Sequence, residues 1–203
     1  MNRSRSFVPL LLCVCVVAGG LARAQTPASR IRGDIVSVKG STLQLKADSG
    51  QKIAVRLADH YTVSARSHGD LTKIIPGAFV GTTAVPGPEG TLTAVELHVF
   101  PESMRGTDEG HRPMETTSGR TMTNATVAAV AEGEQELRMT LRYKGGEKVV
   151  AIPKDTPIVM VEAGDPSMLV PGAHVIVSGV QQNDGSVLAE RITVGKDGLI
   201  PPM

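Results

Sequence analysis

Short stretches in which apolar and polar residues alternate run along most of this chain. The clearest are Ile53, Val55 and Leu57, and then Leu137, Met139, Leu141 and Tyr143. A two-residue period is typical of a β-strand with one buried face. Glycine-containing turns separate such stretches, because glycine accepts a positive φ without steric cost. These turns are Lys39-Gly40, Asp48-Ser49-Gly50, Gly145-Gly146 and Asn183-Asp184-Gly185. The pattern therefore predicts an all-β chain of short strands joined by hairpins.

The chain contains an internal duplication. Residues 75–99 ("IPGAFVGTTAVPGPEGTLTAVELHV") align without a gap over residues 170–194 ("VPGAHVIVSGVQQNDGSVLAERITV"), and 8 of the 25 positions are identical. Upstream the match continues with small gaps, "GQKIAV" over "GEKVVA" and "DHYTV" over "DTPIV". A repeat of this length indicates two copies of one structural unit.

Each copy reads as three strands, a short link and two strands. The links, residues 70–75 and 166–170, each have the length of about one helical turn and precede a Pro-Gly pair. This order favours a five-stranded OB-like barrel in each copy, and a barrel leaves few exposed strand edges. Two small β-sandwiches are the alternative.

The N-terminus has the features of an export signal. Arg3 and Arg5 precede an apolar run over residues 7–18, and Ala22-Arg23-Ala24 forms a small-x-small cleavage site. An uncleaved anchor is the alternative, although the apolar run is shorter than the roughly 20 residues of a membrane span. The predicted organisation is a signal peptide (1–24), a linker (25–30), a first barrel (31–100), an interdomain segment (101–123), a second barrel (124–195) and a tail (196–203).

Composition removes several classes of function. Both cysteines, Cys13 and Cys15, lie in the predicted signal, so disulfides and thiolate sites are not expected in the remainder. That remainder has 18 basic and 20 acidic residues, and only four of its residues are Phe or Tyr. Neither the charge nor the stacking surface of a nucleic-acid-binding barrel is present. We expect a periplasmic or secreted protein that does not bind nucleic acid and does not insert into the membrane after cleavage.

One family resemblance follows from these motifs. The chain shows G-x-I-x-x-V, then G…I-x-V, P-G-A-x-V and finally D/E-G-x-L-x-A-x-x-I-x-V, over most of residues 31–195. This pattern resembles a family of exported bacterial domains of unknown function that form small OB-like β-barrels, often in tandem. The shared positions are turn and core positions, so the resemblance implies a fold and gives almost no indication of activity.

The interdomain segment (101–123) belongs to neither copy and is the first place to look for a site. It contains Met104, Met114 and Met122 together with His111. Thioether and imidazole are the ligands that suit Cu(I) and Ag(I). A metal-handling protein that uses these four residues, accessory to metal transport, is therefore one hypothesis, although their spacing matches no established ligand motif.

The same segment also has the composition of an ordered connection between barrels. Its glycines and Pro113 suit turns, its arginines and acids suit ion pairs, and methionine fills irregular gaps. We expect an ordered segment with Arg105, Glu109 and Arg112 as the residues that bind a ligand or partner.

No catalytic motif is present in the sequence. There is no G-x-S-x-G, no H-E-x-x-H and no phosphate-binding glycine loop. Each histidine outside the segment is predicted to be a surface or packing residue. The sequence therefore favours a non-catalytic protein, without a cofactor, that binds a small ligand or an unknown envelope protein. The metal-handling protein and a structural envelope module are the alternatives.

Overall fold

A computed structural model describes residues 28–114, 119–133 and 136–202. The predicted signal peptide, 1–24, lies outside the described residues. The described chain is all-β, as predicted, and contains no α-helix. Its strands are β1 (Ala28–Lys39), β2 (Thr42–Ala47), β3 (Lys52–His68), β4 (Phe79–Pro86), β5 (Leu92–Val99), β6 (Gly110–Pro113), β7 (Thr121–Glu132), β8 (Glu136–Tyr143), β9 (Gly146–Pro153), β10 (Ile158–Ala163), β11 (His174–Gln181) and β12 (Val187–Gly195).

Each copy follows the predicted element order. Three strands, or four where β9 and β10 replace the single long β3, precede a short link and two further strands. Both links contain one 3-10 turn, Leu71–Lys73 and Pro166–Met168. Asp70 and Asp165 cap these turns by accepting backbone hydrogen bonds from Thr72 and Ser167, as Asp does at helix N-termini.

The strands close into two rings, and each ring takes strands from both copies. Ring A is a five-stranded barrel in the order β1-β2-β3-β12-β11, with β11 pairing back to β1. Ring B has the order β4-β5-β9-β8-β7, with β7 pairing back to β4. Within the two rings, the β3–β12 and β5–β9 pairings are parallel and the remaining pairings are antiparallel. Strand β10 lies between the rings and pairs with β3 and β5.

This pairing differs from the sequence-based expectation of one barrel within residues 31–100 and another within 124–195. The last two strands of each copy complete the ring begun by the other copy. The physical reason lies in β3, which has 17 residues: its pairing with β12 shifts register between Leu57 and Thr62, and its last residues pair with β10 beyond ring A. Its far end therefore delivers the chain to the other ring, where β4 and β5 form.

The two copies are related by an approximate two-fold axis. In the antiparallel β3–β10 ladder, Arg66 faces Val161, and these are the same position of the two copies at the offset of 95 residues. The parallel pairs Val187↔Val55 and Leu92↔Val150 are related by the same offset. The axis therefore passes through the Arg66–Val161 pair, between the rings.

Each ring contains its own apolar core, built from both copies. The ring A core includes Leu43, Leu45 and Val55 from the first copy together with Val177 and Ile192 from the second. The ring B core combines residues such as Val80 and Leu97 with Met139, Leu141 and Ile152. Since Val, Ile and Leu fill both interiors, few aromatic rings are needed.

Candidate functional site

Residues 101–114 cover the outer face of ring B. They form a 3-10 turn (Glu102–Met104) and then strand β6, which pairs antiparallel with the start of β7. The described part of the interdomain segment is thus ordered, and residues 121–123 already belong to β7. The sequence carries no alternating pattern over the four residues of β6. Its edge pairing depends on β7 and is a tertiary effect.

Arg105 fastens this covering segment to ring B. Its guanidinium donates to the carbonyl oxygen of Gly77 at 2.8 Å and to the hydroxyl of Thr126 at 3.2 Å. It also pairs with Glu102 and lies 5.9 Å from the centre of the Phe79 ring. The hydrogen bond to Glu102 raises the pKa of Arg105. An arginine has five N–H donors. The four hydrogen bonds of the Arg105 guanidinium all go to protein groups, so this side chain has a structural role.

Glu109 and His111 also contact the hairpin of β8 and β9. The carboxylate of Glu109 accepts a hydrogen bond of 2.9 Å from the backbone N–H of Lys144. The His111 ring stacks on Tyr143 with 6.4 Å between centroids, and its Nδ1 lies 2.8 Å from the hydroxyl of Thr123. Both side chains hold the covering segment against ring B.

The three methionines of the segment converge on one cavity. Met104, Met114 and Met122 line a cavity of about 240 Å³ between ring B, the covering segment and the β3–β10 ladder. We call it the central cavity. Arg112 also lines it, whereas His111, Arg105 and Glu109 do not. Three of the four predicted metal ligands are therefore brought together, and one of the three predicted ligand- or partner-binding residues joins them.

Strand register explains how the cavity forms on the outer face of ring B. Cross-strand pairing sets His98, Gly81 and Asn124 side by side on β5, β4 and β7. Because Gly81 has no side chain, the Phe100 ring and the Asn124 carboxamide approach its backbone: a Cβ there would lie 2.6 Å from Asn124 Oδ1 and 3.0 Å from Phe100. The second copy has Ile176 at this position, so this close approach to the strand backbone is possible only in the first copy.

Polar side chains line the same cavity as the methionines. Nε2 of His98 is hydrogen-bonded to the buried carboxylate of Glu96. Nδ2 of Asn124 donates to the carbonyl oxygen of Thr107 at 3.1 Å. These side chains keep fixed orientations because their partners lie within the same sheet or the covering segment. The central cavity therefore combines thioether groups with hydrogen-bonding groups.

Three guanidinium groups line the same cavity, from Arg30, Arg66 and Arg112. Burial lowers the pKa of Arg66, with Glu96 acting in the opposite direction and Arg30 adding to the decrease. Burial likewise lowers the pKa of Arg30, although that residue as a whole is exposed. Among the described residues, no carboxylate oxygen lies within 4.0 Å of a guanidinium nitrogen of Arg30 or Arg66. The cavity is therefore positively charged, with Asp108 as the only acid of its described lining.

The sequence did not single out His98, Arg30 or Arg66. His98 was predicted to be a surface or packing residue, yet its side chain is only 12% exposed and lines the cavity. Arg30 and Arg66 belong to β1 and β3 of ring A, 71 and 35 residues before the start of the segment they face at residue 101. Only Arg66 differs from its counterpart in a way that could have been noticed. It is charged, whereas Val161, the same position of the second copy, is apolar.

Comparison with known proteins adds a family match for part of the chain. Residues 148–193 match a family described as a domain of unknown function, DUF5666. The matched residues run from β9 to β12 and so contribute strands to both rings. No curated protein and no solved structure matches the chain.

Two further features of the described residues concern membranes and metals. Within 28–114, 119–133 and 136–202, no helix has the length and apolar character needed to cross a membrane. Over the same ranges, no three side chains from His, Cys, Asp and Glu come together as a metal-binding group. The methionine cluster offers thioether ligands, which are of a different chemical type.

Proposed function

We propose that this protein is a non-catalytic binding protein of the periplasm and that the central cavity holds a small ligand. One observation carries the proposal. Side chains from five strands and the covering segment converge on a single cavity that combines apolar and polar groups. The strands are β1, β3, β5, β7 and β10. This combination is typical of ligand sites. At about 240 Å³ the cavity suits a compound smaller than most drugs.

The architecture supports the proposal. Ring A follows the strand order of an OB-type barrel with its last two strands supplied by the other copy, and we propose that ring B is a second one. An exchanged pair of barrels provides a ligand site at their junction that a single barrel lacks. Export to the periplasm remains part of the proposal and depends on the N-terminal sequence.

Methionine methyl groups offer a direct test of ligand binding. The purified protein, labelled with ¹³C at the methionine methyl groups, is titrated with a panel of small neutral, cationic and anionic organic compounds. We expect at least one class to shift the resonances of Met104, Met114 and Met122 while Met139, buried in ring B, stays in place. Met122→Phe should fill the cavity and prevent the shifts of Met104 and Met114, whereas Met122→Leu, which conserves volume, should retain the shifts of these two methyl groups. A panel that leaves all three methyl groups unmoved contradicts the proposal.

A second candidate function is the binding of Cu(I) or Ag(I). The convergence of Met104, Met114 and Met122 on one cavity favours it, because thioethers select soft ions. His98, and not His111, is the imidazole beside this cluster. The three arginines of the cavity oppose it, since a cation gains no charge stabilisation there.

Titration with Cu(I), Ag(I) and Zn(II) separates the two candidates. Binding of a soft metal should shift the same three methyl groups and should be lost in Met122→Leu, which removes a sulfur but keeps the cavity volume. Binding of an organic ligand should survive that substitution. If Cu(I) and Ag(I) leave the methyl resonances unchanged, the metal candidate is wrong.

A further inference from the structure

Two of the arginines that line the central cavity, Arg30 and Arg66, suggest which kind of ligand it binds. Arg66 lies on β3 at the approximate two-fold axis, and Arg30 comes from β1 of ring A. Both arginines line the central cavity, and the charge of Arg30 is close enough to lower the pKa of Arg66 further. Like charges brought together and partly removed from water are destabilising unless an anion compensates them.

The acids nearby do not provide that compensation by direct contact. The buried carboxylate of Glu96 is hydrogen-bonded to His98, and it acts on the two arginines only through its field. Arg66 makes one hydrogen bond through Nη1, to the carbonyl oxygen of Ala65 at 3.0 Å. Most of the donors on each guanidinium therefore have no protein partner among the described residues.

The third guanidinium is held in place by the covering segment. Arg112 donates through Nη1 to the carbonyl oxygen of Asp108 at 2.9 Å. Asp108 has a positive φ of 47°, so the turn that supplies this carbonyl is unusual for a residue with a side chain. Arg112 is exposed and lines the same cavity as Arg30 and Arg66, so its charge adds to the attraction for an anion.

We propose that the central cavity is selective for oxoanions: Arg30 and Arg66 bind the anionic head of a small organic acid, and Met104, Met114 and Met122 contact its apolar part. The head is a carboxylate or a phosphate, since the planar fork of arginine suits both. The three methionines can contact apolar tails of different shape, because the methionine side chain is flexible. This inference rests on the proposed binding function and specifies its ligand class.

Four compounds with similar tails and different heads test the selectivity. Pentanoate, butyl phosphate, butanol and butylammonium are titrated separately into the purified protein, with calorimetry and the methionine methyl resonances as readouts. Pentanoate or butyl phosphate should bind and shift the three cavity methyl groups, and the affinity should fall as salt is added. Butanol and butylammonium should bind at least about tenfold more weakly, because they lack the charge-assisted hydrogen bonds. Whichever anion binds more tightly identifies the head as carboxylate or phosphate.

Arginine variants identify the groups responsible. Arg66→Gln and Arg30→Gln should each weaken anion binding by about tenfold or more. Arg138→Gln is the matched control, since Arg138 is an exposed arginine on β8 that is paired with Glu136, and it should leave the affinity unchanged. If Arg66→Gln does not fold, Arg30→Gln still decides, because Arg30 is exposed.

The possible failures are distinguishable. If butanol or butylammonium shifts the cavity methyl groups as strongly as the anions do, the cavity binds ligands but is not selective for anions. If the anions bind with equal affinity to the arginine variants, the role of Arg30 and Arg66 is wrong while the binding function stands. If no compound shifts the methyl groups, both the selectivity and the proposed function are contradicted.

Discussion

Individual residues in the covering segment divide into those that fasten it and those that face the central cavity. Arg105, Glu109 and His111 bind to ring B or to its β8–β9 hairpin. Met104, Arg112 and Met114 line the cavity. Residue type alone does not make this division, because arginines occur in both groups. Within β6, position separates His111 from Arg112, since neighbouring residues of a strand point to opposite faces.

Gly81 is the residue on which the cavity floor depends most directly. In Gly81→Ala the new methyl group would lie 2.6 Å from Asn124 Oδ1, so we expect a loss of about 1–3 kcal/mol of unfolding free energy from overpacking. Urea unfolding measures the loss. In the double variant with Asn124→Ala the clash is relieved, and the total loss should be smaller than the sum of the two single losses. Additive losses would show that the two side chains do not meet.

His111 gives the covering segment a pH dependence. Burial lowers the pKa of His111, and the charge of Lys148 lowers it further. The folded state therefore binds the proton less well than the unfolded state, so stability should fall as the pH drops through the unfolded value of about 6.5. Above that range both states are neutral and the effect vanishes. Unfolding measured between pH 5 and 7.5 should show a shallower slope in His111→Gln, and Lys148→Gln should reduce the slope in part. An unchanged slope in His111→Gln would contradict this assignment.

At the scale of elements, the covering segment is an ordered addition to ring B and not a loose linker. It contributes a short strand, β6, to the edge of β7 and a 3-10 turn against Phe79. Its stability depends on a few side-chain contacts, because four residues of edge pairing contribute little by themselves. Arg105 supplies several of these contacts.

Removing Arg105 should therefore loosen the segment without disturbing the rings. In Arg105→Gln the amides of residues 104–112 should exchange with deuterium faster. In the parent, local opening must break the hydrogen bond from Arg105 to Gly77, and the variant lacks this free-energy cost. Core amides of β8 and β11 should exchange as in the parent. Arg142→Gln, which removes an exposed ion pair between β8 and Glu147 of β9, serves as the control. Unchanged exchange in the segment would mean that β6 is held by its backbone pairing alone.

The sequence predicted the elements well because their signals are local. Alternation located β3 and β8, the glycine turns located the hairpins, and the stretches before the two Pro-Gly pairs, residues 70–75 and 166–170, located the links. The exchange of strands was not predictable in the same way. Either ring offers β4 the same kind of partners, since the two copies share their core pattern. What decides is the length of β3, and sequence alternation alone does not show that the strand continues past Leu57 through Tyr61 to His68.

The cavity residues were predictable only in part, for a related reason. Met104, Met114 and Met122 lie close together in the sequence and belong to neither copy, so composition was enough to single them out. Arg30, Arg66 and His98 lie within the copies and look like ordinary strand residues. Only the pairing of β3 with β10, and of β5 with β4, brings them to the same place.

At the scale of the whole molecule, the exchange ties the two rings into one folding unit. Ring A cannot close without β11 and β12 from the second copy, and ring B cannot close without β4 and β5 from the first. The central cavity shares this dependence, because Arg30 and Arg66 come from ring A strands whereas His98 and Met122 come from ring B strands. A ligand in the cavity should therefore stabilise both rings together.

Matched substitutions in the two cores test this coupling. Leu45 of ring A and Leu141 of ring B occupy corresponding positions, opposite Ile35 and Val127, and both are fully buried. Leu45→Ala and Leu141→Ala should each cost about 2–5 kcal/mol. Because neither ring exists without strands of the other copy, calorimetry should show one transition in the parent, and each substitution should lower that same transition. Two barrels closed separately within the copies would unfold in two steps, with Leu45→Ala lowering one step and Leu141→Ala the other, and that result would contradict the exchanged pairing.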